Sequence, residues 1–433
     1  MENEEKEIVK EKKGNKLIPI IIAAVIVVIV GATIGIYIHS SSPKNIVSKV
    51  IEKTYEKYDK VMNNTIDYDF SKDTLKVSGD LNVDTNIDGL EKLKNDKFTF
   101  DIGVDYKSKK LEAGLAVDEK KTTLIDIMAY IVDNKLYLDL GKDYDGLLKT
   151  DDVNFEDFLS IDLEETKNDF TKEDINYIVK AYKNILIKSI DEKDLKKSTD
   201  TIKINGKDTK VNKISYTIND QNIEKLTKKM IEETLKDNEL IKKLAKVSGK
   251  EVVDVKYELE EQQEKFTIDE DLNIKLDIYT KGITNSFAGL NMRADKDNYL
   301  NLTVNKKDSN VVIKSDDTKI DLDINKLTDE EANIDYNVKY EDTKLSGNLT
   351  YNNKKIDNKR YQGKVIYYMN YNKQKLKLTL DYKLKVNVPI AKIDTNKAKD
   401  ITEADGIEDA YNNIMDRFQK STSYDMISNL FSY

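Results

Sequence analysis

Few residues in this chain belong to types that do chemistry by pairing. Its 433 residues include one histidine, His39, and no cysteine. Nucleophilic catalysis needs a base held beside a hydroxyl or thiol. Here the only imidazole borders a long apolar run, there is no thiol for it to activate, and no motif marks out a Ser–Lys pair. Asp and Glu number 80, so any spacing between two carboxylates arises by chance, and no acid–base pair stands out. The sequence is read as that of a binding or interaction protein, not an enzyme, with no catalytic residue and no cofactor.

One loop has the spacing of metal ligands. Asp84, Asn86 and Asp88, followed by Gly89, match the opening of a calcium loop, where alternate oxygens and a sharp glycine turn wrap the ion. The twelfth position is Asn95 instead of the bidentate Glu, and a strand pattern precedes the loop where a helix belongs. An ordinary turn at Asp88-Gly89 is the plainer reading. Asp321, Asp323 and Asn325 alternate with Leu322 and Ile324 and read as the wet face of a strand. Many of the 25 tyrosines fall in phase with alternating apolar residues, which assigns them to a sheet's core or rim, not to a stacking platform.

The elements that must position these residues begin with Leu17–Ile38, an uncharged run of 22 residues. As a helix it reaches about 33 Å, enough for a bilayer core of roughly 30 Å. The run is longer than a signal-peptide core and ends in Tyr37, Ile38 and His39 before Ser40, Ser41 and Ser42, so it is read as an uncleaved anchor. Lys12, Lys13 and Lys16 precede it, and Lys44 is the first lysine after it. The positive-inside rule then assigns 1–16 to the cytoplasm and the body to the exterior. Gly31 and Gly35 form a G-x-x-x-G, a candidate dimerisation face.

Net charge is −9, which argues against nucleic-acid binding, and charged residues make up 35% of the chain. Lysine supplies nearly all the positive charge; the bias fits an AT-rich bacterial genome. Without disulfides the exported body must be held by its core, which a chain of this length can build.

Asn45–Met62 has helical spacing, with Val47, Ile51, Tyr55, Tyr58 and Met62 on one stripe and Val50 beside it. The period then becomes two. Leu75 to Val83, Phe98 to Val104, Leu111 to Val117, the run Leu124–Val132, and Leu136 to Leu140 read as an antiparallel meander with one buried face. Val153–Leu159 reads as a short helix. Thr171–Ile190 reads as a longer one, with Thr171 and Asp174 set to cap it. A hairpin over Thr201–Ile218 turns at Asn205-Gly206. Asp220–Leu235 and Glu239–Val247 are helical, with Gly249 as C-cap, while Glu251–Lys265 fits helix or strand. Strand patterns fill Phe266 to Val388 before Pro389. The tail from Thr402 is helical, with Ile407, Tyr411, Ile414, Met415 and Phe418 on one side.

The units are thus a tail (1–16), a transmembrane helix (17–38), a helix-plus-sheet region (45–265), a β meander continuous with it (266–390) and a helical tail (391–433). The fold class is α+β: a large curved antiparallel sheet with amphipathic helices packed on one face.

Ile131-Val-Asp-Asn-Lys-Leu-Tyr-Leu-Asp-Leu-Gly141 resembles the turn-then-strand unit of bacterial lipoprotein-carrier proteins, and Phe266–Leu276 resembles their recurrent hairpin. That resemblance implies a half-barrel with helices in its concavity and an apolar ligand such as lipid. The helical anchor departs from that family. The whole is also similar to single-pass membrane proteins of Gram-positive bacteria. The function expected is binding of an apolar or envelope-derived ligand near the membrane. The alternative is an envelope sensor or scaffold that binds another protein.

Overall fold

The computed structural model describes residues 42–64, 73–120, 122–153, 155, 171–267, 273–282, 285–305, 308–328, 330–357, 359–422 and 424. The expected transmembrane helix with Gly31 and Gly35, the tail 1–16, His39, and most of the short helix expected at Val153–Leu159 lie outside them. Among the described residues no helix is long and apolar enough to cross a membrane.

Helix α1 (Pro43–Asn64) opens on a proline at its first position, where no backbone N–H is needed. The first six strands form a meander: β1 (Thr74–Thr85), β2 (Asp96–Asp105), β3 (Lys110–Glu119), β4 (Thr122–Val132), β5 (Lys135–Asp139) and β6 (Leu147–Asp152). Helix α2 (Lys172–Ser189) follows, then the hairpin β7 (Leu195–Ile204) and β8 (Lys207–Asn219). Three helices come next, α3 (Asp220–Leu235), α4 (Asn238–Ser248) and α5 (Val252–Lys265). Nine more strands complete the meander: β9 (Asn273–Lys281), β10 (Ser286–Arg293), β11 (Tyr299–Asn305), β12 (Asp308–Ser315), β13 (Thr318–Leu327), β14 (Glu331–Tyr340), β15 (Thr343–Asp357), β16 (Arg360–Tyr371) and β17 (Gln374–Val386). The two-residue β18 (Lys399–Asp400) and helix α6 (Ile407–Lys420) close the described chain.

Tight turns make the meander. Asp133-Asn134, Asn205-Gly206 and Asn372-Lys373 each place two successive residues at positive φ, the backbone of a two-residue hairpin loop whose twist matches its strands. From β7 to β17 each strand pairs with the next, as do β1 to β6. One long-range pairing joins the two series: β1 lies antiparallel to β17, with Leu75 opposite Val386 and Thr85 opposite Leu376. β18 adds to β6 in parallel. The result among the described residues is one large, open, antiparallel-dominated sheet with helices, of α+β type.

Because opposite residues of an antiparallel pair share a face, the register traces one apolar face from β8 to β17 and on through β1 to β5. At the β7 end the sheet curls until β7 approaches β11, and α1 fills the curl. Ile46, Val47, Val50 and Ile51 are buried there against Ile214, Ile278, Leu290, Leu302 and Val311, with Leu186 of α2. Burying each such side chain contributes about 1.5–3 kcal/mol. The expected α1 stripe thus holds at Val47 and Ile51, but Val50 belongs to its centre and the wholly buried Ile46 widens it.

Helices α2 to α5 build a core of their own from Ile185, Ile231, Leu240, Ile241, Val255 and Leu259. Val255 and Leu259, four apart and buried, settle Glu251–Lys265 as helix. Gly249 caps α4 at φ +66°. α6 begins at Ile407 and not at Thr402, because Asp400 ties Thr402 into a turn through its N–H (3.0 Å) and its hydroxyl (2.6 Å). Its expected side holds at Ile407, Ile414, Met415 and Phe418, all half-buried, but Ala410 is the buried contact and Tyr411 is exposed.

Thr171 and Asp174 form the expected capping box. Asp174 is buried and also accepts from Lys243 Nζ (2.5 Å) and Lys246 Nζ (2.8 Å) of α4. Burial opposes its ionisation, but the hydrogen bonds from Lys243, Lys246 and Thr171 win and hold the carboxyl well below the usual range. A depressed carboxyl stabilises the fold above its unfolded pKa of about 3.9, and that stability is lost as pH falls towards its folded value. Asp174→Asn is expected to lower unfolding free energy at pH 7 by about 2–4 kcal/mol. The gap from wild type should narrow as denaturant titrations move below pH 4.

Candidate binding surface

Among the described residues, the two ends of the apolar face are covered and its middle is not. At the far end Leu111 and Ile131 are buried under Phe155, whose ring meets Tyr106 edge-on at 6.2 Å. α6 covers Leu138 and Leu140 beside Leu148, and Arg417 on it donates to the carbonyl of Leu124 (3.2 Å) and pairs with Asp143. Between these ends, on strands β13 to β17 and β1 to β3, the face carries rows such as Leu322–Tyr336–Gly347–Met369–Leu376 and Val338–Leu345–Tyr371. Farther along run Leu380–Leu81–Phe98–Val117 and Leu384–Val77–Ile102–Ala113. Most of these side chains are half-buried, held only by neighbours in the same sheet. Ile102 and Leu115 are 45% and 47% exposed. Charge appears on this face only at its margins, at Lys355, Asp96 and Glu119.

Glycines let aromatic rings lie down on this face. Gly79 stands opposite Phe100 and Tyr382, Gly347 opposite Tyr336, and Gly363 opposite Tyr382. A Cβ at Gly79 would sit 3.0 Å from Phe100 Cζ, and one at Gly363 would sit 2.6 Å from Tyr382 Cζ. Tyr336 Oη lies 2.9 Å from Tyr367 Oη and 3.2 Å from the carbonyl oxygen of Tyr368, and the two rings are stacked. Burial, then the bond to Tyr367, pushes the Tyr336 phenol well above its ordinary value. Burial, then Tyr351, does the same for Tyr382. The ring-over-glycine contacts give the face a partial cover made from its own side chains.

Behind that open stretch the opposite face is polar and laced with cross-strand hydrogen bonds, while at the β7–β10 end it carries a buried cluster of Ile204, Val211, Tyr279 and Ala288. Asn310 donates to Asp321 (2.6 Å) and Asp323 (2.8 Å), and Asn325 donates to Asp335 (2.7 Å), so the expected wet face of β13 is a cross-strand ladder. A shallow depression of about 540 Å³ on this side is lined by Ser78, Asp80, Thr99, Lys364, Asp381 and Lys383. Its acids are paired, Asp80 with Lys97 at 3.0 Å and Asp381 with Lys364 at 3.1 Å. Glu112, wholly buried, accepts from Lys76 Nζ (2.5 Å) and from the backbone N–H of Ala391 (2.9 Å). Lys76 also reaches Asp101 at 3.2 Å. Gly103 leaves room for this, since a Cβ there would meet Glu112 Cγ and Ile390 Cδ1 at 2.7 and 2.8 Å. The buried carboxylate fastens the segment after β17 across β1–β3 and has no route to a substrate.

Two of the calcium-loop residues are engaged outside the loop's own turn. Asn86 is turned to the β16–β17 hairpin, accepting from Lys375 N–H (2.5 Å) and donating to the Lys373 carbonyl (3.2 Å). Asp84 faces Lys94 at 3.4 Å. Gly89 takes φ +84°, as a turn requires. Among the described residues no group of three His, Cys, Asp or Glu side chains has the arrangement of a metal site.

No family model and no curated protein matches the chain. Among solved structures, one titled "The Structure of Intact Ap-TbpB (N and C lobes)" aligns over 73% of this chain and 79% of that chain, at 11% identity and a TM-score of 0.11. A likeness that slight carries no argument about fold or function, and it adds nothing to the resemblance to lipoprotein carriers.

The ring-over-glycine packing is testable. Gly363→Ala sets a methyl against Tyr382 and the Asn352 carbonyl oxygen and is expected to cost about 1–3 kcal/mol. Spectrophotometric titration should show one tyrosine fewer ionising late, a change absent when Tyr382→Phe is the background.

Proposed function

We propose that this chain is an exported, membrane-anchored binding protein without catalysis, and that it engages an apolar partner through the open face of its sheet. The observation that carries the reading is the uncharged, half-buried middle of that face, from β13 to β3, with Ile102 and Leu115 exposed within it. Contiguous apolar surface of this extent on a folded protein marks an interaction site. The expected lipid-carrier pocket would enclose most of its ligand. A broad open face rich in tyrosine suits a protein partner better, which favours the scaffold reading over the carrier one. The anchor reading rests on the uncharged run Leu17–Ile38 and the lysines before it. α1 starts five residues after Ile38. A spanning helix there would hold the curled end of the sheet close to the bilayer.

The test uses the full chain extracted from its own membranes into lipid nanodiscs. With an affinity-tagged and an untagged copy expressed together, mass spectrometry of material recovered on the tag should find a specific protein (another species or the untagged copy) or lipid with the wild type and lose it with Ile102→Lys/Leu115→Lys. Substitutions at exposed positions of this kind move stability by only about 0.5 kcal/mol, so the melting temperature should hold. Equal recovery with both proteins overturns the reading. Recovery of lipid alone, with no protein, restores the carrier reading.

A further inference from the structure

We propose that the occupant of the open face is the same face of a second copy of this chain, the two sheets closing into a two-layer sandwich. The proposal rests on the reading that this face is a binding surface, and it names the partner.

Three observations carry it. The first is the distribution of charge. In a two-fold contact, residues near the axis meet their own copies, so any charge there faces its like and repels it. Across β13 to β17 and β1 to β3 the face keeps charge out of its interior and admits it only at Lys355, Asp96 and Glu119 on the margins. A surface built for a different protein has no such restriction, and draws specificity from placed charges.

The second is size. Eight strands at about 4.8 Å, each with about four alternating apolar residues over about eight positions, give a footprint of roughly 1,000 Å², enough for the ~800 Å² per partner of a stable interface. Stacked sheets sit about 10 Å apart with side chains interdigitating, and the half-buried Leu, Ile, Val and Phe side chains of this face are what such a layer needs. The third lies in the sequence. Gly31 and Gly35 give the proposed anchor a G-x-x-x-G, a pattern that lets two copies of one helix approach closely. Anchor and sheet face thus point independently to the same partner, and parallel anchors hold two bodies side by side, as the sandwich requires.

The absence of cysteine makes the test direct. Single cysteines are placed on the face at Ile102→Cys or Leu115→Cys, and on the polar face at the exposed Asn82→Cys, in the full chain in intact membranes. A bis-maleimide spanning about 10 Å should convert the first two to a species of twice the mass and leave the third monomeric. If the two face cysteines are shielded from a water-soluble maleimide but the solubilised full chain sediments at the mass of one copy, or they give an adduct of another mass, the second copy is ruled out while the binding surface stands. If they label as fast as Asn82→Cys and give no adduct, both the second copy and the binding surface fall.

Discussion

The pairing of β1 with β17 is the constraint on which the rest of the molecule depends. Every other long strand partner is the next strand in the chain, and all but β8 and β9, which are joined through α3–α5, have a short connection to set them. β1 and β17 have none. Eleven residue pairs join segments some three hundred residues apart, matching Leu75–Thr85 to Val386–Leu376. The apolar alternation of both strands fixes the register, because a slip of one residue would turn Val77, Leu81 and Leu384 to the wet face. That zipper makes two meanders one sheet. Loop-closure entropy must be overcome before such a pairing forms, which makes it a late and slow step of folding.

Once the sheet is continuous, its cover is shared unequally. The curled end wraps α1, and the far end lies under Phe155 and α6. The span between has one apolar face and one polar face, neither with a described layer upon it. Two devices make that tolerable. Asn–Asp ladders and Lys–Asp pairs satisfy the polar side, and aromatic rings lying over Gly79, Gly347 and Gly363 cover part of the apolar side. The buried Glu112, held by Lys76 and Ala391, then straps the chain beyond β17 across the junction strands. An ion pair so buried contributes little by itself, yet breaking it leaves a charge without a partner, so it specifies that crossing more than it stabilises it.

The helical and strand segments were legible because their signals are local. The Thr171–Asp174 capping box, the Asn205-Gly206 turn, the Gly249 cap and the alternation of β14 to β17 each lie within a few residues. Errors arose where the deciding contact is distant. Ile46 joins the α1 face because the curl surrounds that helix on several sides. Tyr411 turns outward because α6 meets the sheet through Ala410. Glu251–Lys265 became helix only against α3 and α4. Asn86 matched the spacing of a calcium loop beside the plainer reading of a turn, and only the fold shows that a hairpin far along the chain claims both ends of its amide.

The sequence by itself determined the alternation that gives every strand one apolar face, the turns between them, and the absence of histidine or cysteine chemistry in the described body. All of these are set by residue type and short spacing. Only the tertiary structure decided which stretch of that face is covered and which is open, and that Phe100, Tyr336 and Tyr382 lie down over glycines on neighbouring strands. Those outcomes depend on which strands become neighbours and where the few helices dock. That choice is made by packing between segments far apart in the chain, and no local pattern encodes it.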